Sequence, residues 1–345
     1  MTNHSNGNIP RVILGAMTFG LDSTSSETSA CKVRGPQNVA PFLNTLISHG
    51  HVEVDTARVY GNGDSEIVLS QLPELTAHLK IATKVFPYEA GILNKVNLPQ
   101  QFRASLKALN ASKVDILYLH APDYSVPLEE TCKAVDDLYK EGLFERFGVS
   151  NYASWQVAHI HAICTQNNYV LPTVYQGAYN PIGRDVVPEL LPCLKYFNMS
   201  FYAYNPICGG ILSGKYRFDH VPEGSRYESS SPLGKMIRGM YWNKANFEAV
   251  ASLTQVATTL NLTLLEATLR WMRHHSGLTA RDGILIGAST VAQLEESLTE
   301  LDKGPLPEEM VKAFDEAWDH VKMFSQSYFR GENAAAIPIL KSQKE

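Results

Sequence analysis

The sequence predicts an α/β fold, a closed (β/α)8 TIM barrel with a long excursion after its seventh strand. Three observations carry this. Eight short runs rich in β-branched and aromatic residues recur along the chain, and segments with helical spacing separate them. The length, 345 residues, allows one large single-core fold as readily as two ordinary domains of about 150 residues each. Apolar residues make up 44% and charged residues 19%, a composition that can bury a sizeable core and excludes disorder. A doubly wound open sheet is the alternative arrangement of the same units.

The runs are RVILGAM (11–17), HVEVDTA (51–57), KIATKV (80–85), VDILYLH (114–120), FGVSNY (147–152), PTVYQGAYN (172–180), SFYAYNP (200–206) and GILIGAS (283–289). Each is too short for an ordinary helix and nearly continuous in apolar character, as strands buried on both faces of a parallel sheet should be. Between the fourth and fifth runs, Leu128, Cys132, Val135 and Leu138 mark one helix face, and Gly142 is placed to end that helix. Ser154 reads as the N-cap of the next helix, whose apolar members are Trp155, Val157, Ala158, Ile160, Ala162 and Ile163. LLEATLRWMRHH (264–275) is another. Repeated βα units imply right-handed parallel crossovers, and eight of them close a barrel. The rhythm breaks between 207 and 283, where PEGSRYESSSPLGK is followed by further helical segments. The expected organisation is a polar tail over 1–10, a single barrel domain over 11–330 and a tail over 331–345.

With 30 Lys and Arg against 35 Asp and Glu, the formal charge is −5, and no basic field exists to neutralise a phosphate backbone. Nucleic acid is therefore not an expected partner. No run approaches the ~18 apolar residues of a membrane span. The amino-terminal MTNHSNGNIP has neither a basic nor an apolar leader region, so a cytoplasmic protein without a membrane partner is expected. Five scattered cysteines with no C-x-x-C read as reduced thiols. No metal site is expected, because His159 and His161 lie two apart on a predicted helix and cannot share a face. His274 and His275 end a helix, where imidazolium suits the dipole.

A barrel places its chemistry at the carboxyl ends of the strands. Asp55 ends the second run with Tyr60 five residues beyond it, Lys84 lies near the end of the third, and His120 ends the fourth. Singly these read as a helix cap, a rim aromatic, a solvent-facing lysine and a core histidine. Together at one face they can protonate a carbonyl oxygen. A phenol with a pKa of about 10 is a poor acid, so the Lys84 ammonium is expected to lower it. Asp55 would keep Lys84 protonated, and a neutral His120 would donate a hydrogen bond to the substrate oxygen. Reduction then needs hydride from a nicotinamide cofactor. GAMTFG and GNGDSE both fail the G-x-G-x-x-G spacing, which argues against a Rossmann domain. GGILSGK (209–215) satisfies part of a P-loop, but Tyr216 stands where magnesium-nucleotide chemistry needs Ser or Thr. A glycine-rich turn cradling a pyrophosphate without metal fits better. A second anion site is expected at 287–290, where GAST enters the helix VAQLEESL.

These residues lie in motifs that resemble those of the aldo-keto reductases, and within that family the aflatoxin-aldehyde reductase branch. They are LGAMTFG, EVDTARVYGNGDSE, IATKV, DILYLHAPD, GVSNY, PTVYQGAYN, FYAYNPICGGILSGKY, LRWMRHH, GASTVAQLEES and SYFR, spread over 11–330. The resemblance implies NADPH-dependent reduction of aldehydes or ketones, with NADP+ as the oxidised cofactor. The partner is then a small carbonyl compound, and a homodimer is compatible with it. Asp55, Tyr60, Lys84 and His120 match the family's catalytic tetrad, with Tyr60 as proton donor. By the same likeness Met17 contacts the cofactor, Ser150, Asn151 and Gln176 hold the carboxamide, and Tyr204 stacks on the nicotinamide ring. Asn205, Pro206, Gly209, Gly210, Leu212, Gly214 and Lys215 would wrap the pyrophosphate. Gly287, Ser289, Gln293 and Glu295 would take the adenosine end. His120 and Arg330 would meet the substrate, Arg330 as anchor for a carboxylate, and Arg226 would contact a phosphate or the substrate. Thr290 and Ser297 depart from the Ser and Asn of mammalian members, and 287–297 contains no Lys or Arg to meet a 2′-phosphate. A cofactor-binding regulatory subunit of the same fold, with little turnover, is the alternative function.

Overall fold

The computed structural model describes residues 8–24, 30–223, 225, 227–228 and 232–332. Eight parallel strands close into a barrel. They are β1 (Arg11–Gly15), β2 (Glu53–Asp55), β3 (Lys80–Val85), β4 (Val114–Leu119), β5 (Phe144–Ser150), β6 (Pro172–Ala178), β7 (Ser200–Tyr204) and β8 (Gly283–Ile286), and β8 pairs back onto β1. Each of the eight predicted runs holds one strand, and most runs extend past the strand into the loop that follows it. β5 begins earlier than its run, because Glu145 and Arg146 interrupt the apolar pattern with side chains that serve the barrel's lower rim. A two-residue parallel pair, Phe19–Gly20 with Val33–Arg34, was not expected.

Alternation along the strands divides the core in two. Ile13, Ala82, Ile116, Tyr118, Val174, Tyr202 and Leu285 fill the barrel interior. Residues of opposite phase, such as Leu14, Val85, Leu117 and Val149, pack against the surrounding helices. Tyr118 is fully buried and occupies space that a side chain at position 148 would take, since a Cβ on Gly148 would lie 2.3 Å from its ring. The amino end of the barrel is closed by polar groups. Arg146 bonds Asp115 at 2.5 Å, Glu53 at 3.4 Å and the Tyr202 hydroxyl at 3.1 Å, while Arg11 reaches Glu53 at 3.2 Å.

The helix Leu128–Lys140 buries Cys132, Val135 and Leu138, and Gly142 follows it at φ 76°. The helix Ser154–Asn167 starts differently from the prediction. Ser154 is its first residue and not its cap, and Trp155 is 59% exposed and no part of the buried face. The capping group is Gln156, whose Oε1 accepts from the Ala153 N–H at 2.9 Å, while the Ser154 hydroxyl bonds Glu189. His159 on this helix faces Glu129 at 3.8 Å, and the His161 ring packs on Phe197. After β7 comes the excursion, built from a 3-10 segment Cys208–Ser213 and the helices Pro232–Tyr241, Lys244–Thr259 and Leu264–His274. His275, just beyond, is not the expected imidazolium. Its Nε2 accepts from the Leu306 N–H at 2.9 Å, and burial lowers its pKa. Among the described residues no helix is long and apolar enough to cross a membrane.

Candidate active site

β2 and β3 run side by side, with Asp55 in register with Ala82. Lys84 shares the inner face with Ala82, so it points into the barrel beside the end of β2. Its side chain is completely buried. Nζ bonds Asp55 Oδ1, donates to the Thr56 carbonyl at 2.8 Å and reaches the Tyr60 hydroxyl at 3.4 Å. Asp55 Oδ2 accepts from Gln176 Nε2 at 2.8 Å. Tyr60 opens a short turn, Tyr60–Gly63, in which Gly61, Asn62 and Gly63 all take left-handed φ of 57°, 57° and 99°. That reversal returns the chain to a helix and leaves the phenol facing inward. His120 follows β4, its ring edge-on to Tyr60 at 5.9 Å and to Phe86 at 5.2 Å. Its Nδ1 is buried and has no hydrogen-bond partner among the described residues.

Burial and the neighbouring charges compete in setting the electrostatics. It works against the Lys84 ammonium, but Asp55 and then Tyr60 outweigh it, so Lys84 holds its proton above the ordinary range. His120 is pushed well below its ordinary value, first by burial and then by the charges of Lys84 and Arg330, and is neutral at physiological pH. Tyr60 corrects an expectation. Burial raises its pKa by more than Lys84 lowers it, and Asp55 adds to the rise. The phenol is therefore firmly protonated, not acidic in its resting state.

Beside this cluster lies a web of polar side chains. Asn151, at φ 63°, donates from Nδ2 to the His120 carbonyl at 2.8 Å and to Ser150 Oγ at 3.0 Å, and its Oδ1 accepts from the Tyr204 hydroxyl at 2.8 Å. The Asn151 carbonyl in turn accepts from the Arg330 N–H at 2.9 Å. All of this opens into one cavity of about 770 Å³, lined near the tetrad by Met17, Asp55, Tyr60, His120, Ser150, Asn151, Gln176 and Tyr204. The lining continues through Asn205, Pro206, Gly209, Gly210 and Lys215 to Gly287, Ser289 and Gln293, and Arg330 borders the same space.

Three predicted contacts fall outside that lining. Leu212 is fully buried in the hydrophobic core. Gly214, at φ 72°, ends the 3-10 segment. Glu295 turns away to His49 at 3.1 Å, and its neighbour Glu296 lines the cavity instead, 3.9 Å from Lys215. A single residue step separates these two outcomes, since successive helical residues point about 100° apart. Arg226 lies outside the described residues. The Ser289 N–H, counted as an anion donor, is bonded to Gln293 Oε1 at 3.1 Å. The sequence reading missed Phe86, which packs on His120 directly after β3, and Asp185, which lines the cavity and bonds Ser325.

The protein is thus a parallel (β/α)8 barrel that buries a lysine between a carboxylate and a phenol, both of which line one cavity. Residues 11–319 match the model of the Aldo/keto reductase family, and the chain belongs to that family of oxidoreductases. An aldo-keto reductase of Pseudocercospora fijiensis is 41% identical over 296 residues, 84% of this chain and 100% of its own. Aflatoxin B1 aldehyde reductase member 2 of Mus musculus is 40% identical over 339 residues, 93% of this chain and 88% of its own. Aldo-keto reductase family 7 member A3 of Homo sapiens is 39% identical over 337 residues, 93% of this chain and 97% of its own.

Proposed function

We propose that the protein is an NADPH-dependent aldehyde reductase with residues 11–330 as its single domain and Tyr60 as the proton donor. The observation that carries this is the Lys84 ammonium, wedged between Asp55 and the Tyr60 hydroxyl at the cavity mouth. The cavity's chemistry suits a dinucleotide. Gly209 and Gly210 line it at left-handed φ of 66° and 107°, a turn without side chains that leaves room for a phosphate, although the Gly210 N–H is itself bonded to the Ile207 carbonyl at 2.8 Å. A side chain on Gly287 would meet nothing within 4 Å, so that stretch of wall is open. His120 Nδ1, within the tetrad, is a buried polar atom with no hydrogen-bond partner among the described residues. Ser150, Asn151 and Gln176 would hold the carboxamide, Tyr204 would stack on the ring, and Ser289 and Gln293 would meet the adenosine end. Lys215 supplies a cation there, and the relatives' reductase names support the activity.

When bound, the reduced nicotinamide supplies hydride to the carbonyl carbon. The chain's own residues handle the oxygen. The Tyr60 hydroxyl and the neutral His120 ring receive it by hydrogen bonds. As the C=O π pair moves onto oxygen, the Tyr60 O–H bond breaks and its proton completes the alcohol. The phenolate left behind faces the Lys84 ammonium 3.4 Å away, and solvent restores the proton. A protonated resting phenol is suited to this task, because a developing alkoxide is a far stronger base than phenolate. Asp55 and the Thr56 carbonyl hold Lys84 charged and aimed.

With 4-nitrobenzaldehyde and either NADPH or NADH, the wild type should turn over with preference for NADPH. Tyr60→Phe should lose about 100-fold or more in kcat while still binding NADPH, followed by protein fluorescence. Undiminished turnover in Tyr60→Phe would refute the assignment. Arg330, whose guanidinium lies 5.7 Å from the Phe86 ring centre, is the proposed anchor for a substrate carboxylate. Arg330→Ala should cut kcat/KM for a short carboxylate-bearing aldehyde about tenfold more than for its uncharged analogue; an unchanged ratio removes that role.

A further inference from the structure

The tetrad is gripped from outside the barrel. Lys84 points inward, so Thr83 beside it on β3 points to the helices. There Thr83 Oγ1 donates to Glu66 Oε1 at 2.6 Å, and Arg58 Nη1 donates to Glu66 Oε2 at 2.6 Å. Arg58 belongs to the loop between Asp55 and Tyr60. Its N–H donates to the Lys84 carbonyl at 3.3 Å, and its Nη2 reaches the Asn62 carbonyl at 3.5 Å, just beyond Tyr60. The guanidinium lies where a side chain on residue 63 would go, since a Cβ on Gly63 would come within 2.2 Å of Nη2. The adjacent Ser65 adds a second tie, bonding Thr56 Oγ1 at 2.9 Å and the Ala16 carbonyl at 2.8 Å. Glu66 and Thr83 are both completely buried, and neither lines the cavity. A buried carboxylate is costly and adds little net stability over an apolar replacement, so its place here calls for another explanation. Glu66 binds, with one carboxylate, both the strand that carries Lys84 and the side chain of the loop that carries Tyr60.

We propose that Glu66, acting through Arg58 and Thr83, is a positioning residue that fixes the Tyr60 hydroxyl against the Lys84 ammonium. This rests on Tyr60 being the proton donor. The charged and titratable groups facing Tyr60 are Lys84 from β3, Asp55 from β2, His120 after β4 and Tyr204 from β7. Lys84 is the cation among them that eases loss of the Tyr60 proton. Slackening the loop withdraws the hydroxyl from Lys84, so Tyr60 should keep its proton to higher pH.

Glu66→Gln reduces the Arg58–Glu66 ion pair to at most a neutral-acceptor hydrogen bond and Arg58→Met removes it, and the two change the local charge in opposite senses. Each would be assayed for aldehyde reduction across about pH 6 to 10, beside Tyr60→Phe and the double variant. Both single variants should bind NADPH within about twofold of wild type, lose about tenfold in kcat with less change in KM, and shift the alkaline limb upward. A charge effect alone would move the two limbs in opposite directions. The double variant should lose no more than the worse single one, because both act through one contact. Limbs that diverge or stay put, unchanged kcat, or losses that add would each overturn the proposal. Should Glu66→Gln fail to fold, Thr83→Val removes a bond to the same carboxylate without altering charge and must show the same upward shift. If Tyr60→Phe turns over normally, the proton-donor assignment has failed. If it is inactive while these variants behave as wild type, only the positioning role has failed.

Discussion

Beside the role proposed for it in reduction, the buried His120 carries a stability consequence. Its folded pKa lies well below the 6.5 of the free imidazole, so the folded protein refuses a proton that the unfolded chain accepts. Above about pH 6.5 both states are neutral there and the residue adds no pH dependence. As pH falls below that value, unfolding gains proton uptake, and His120 should cost up to ~1.4 kcal/mol of stability per pH unit. Urea midpoints at about pH 7.5 and 5.5 should therefore differ less in His120→Gln than in wild type; an equal gap would mean that His120 titrates normally. The four tetrad positions could be read from strand ends, because a strand-end residue faces the mouth whatever else the fold does. The direction of the Tyr60 shift could not, since it depends on how much water the surrounding loops exclude. Glu66 escaped notice for a similar reason. Nothing in the spacing of GNGDSE marks it, and only the folded loop brings Arg58 and Thr83 to it.

At the scale of elements, the barrel was legible because each strand is buried on both faces and so announces itself as an apolar run. The runs overshoot at their carboxyl ends, where Thr56, Ala57, Asn151, Tyr152 and Asn205 belong to mouth loops that are buried or half-buried although not strand. Helix ends were less legible. The Ser154 helix lacks a clean polar face because its outer turns carry Trp155 and its start is pinned by Glu189 and Tyr328 from distant segments. The glycine-rich GGILSGK gave the turn correctly, since three left-handed residues there leave little alternative to glycine. It did not reveal which of its side chains face the cavity, and Leu212 turns out to anchor the segment to the core. The Phe19–Gly20 pairing with Val33–Arg34 is too short to leave any period in the sequence.

Across the whole molecule the two ends of the barrel divide their labour. The carboxyl end collects the tetrad and the segment Phe324–Arg330, tied down through Ser325 to Asp185, Tyr328 to the Ser154 N–H and the Arg330 N–H to Asn151. None of those ties is visible in sequence, because the partners lie more than a hundred residues away. The amino end holds the Arg11, Glu53, Asp115, Arg146 and Tyr202 network. Tyr202 and Glu53 are buried there, and Arg146 is pulled upward in pKa by Asp115 and Tyr202 despite burial acting against it. Removing its guanidinium leaves Glu53 and Asp115, whose side chains are only 11% and 16% exposed, each short of a partner. Arg146→Met should therefore cost about 2–3 kcal/mol, less than for a fully buried pair because Arg146 is 26% exposed. The same variant should keep kcat and KM for aldehyde reduction within about twofold of wild type, since among the described residues the network's hydrogen bonds and ion pairs stay at the amino end. Denaturant unfolding and steady-state kinetics on one preparation test both halves. A large loss of turnover in a folded Arg146→Met protein would show that the two ends are coupled through the interior layer of Ile116, Tyr118 and Val174.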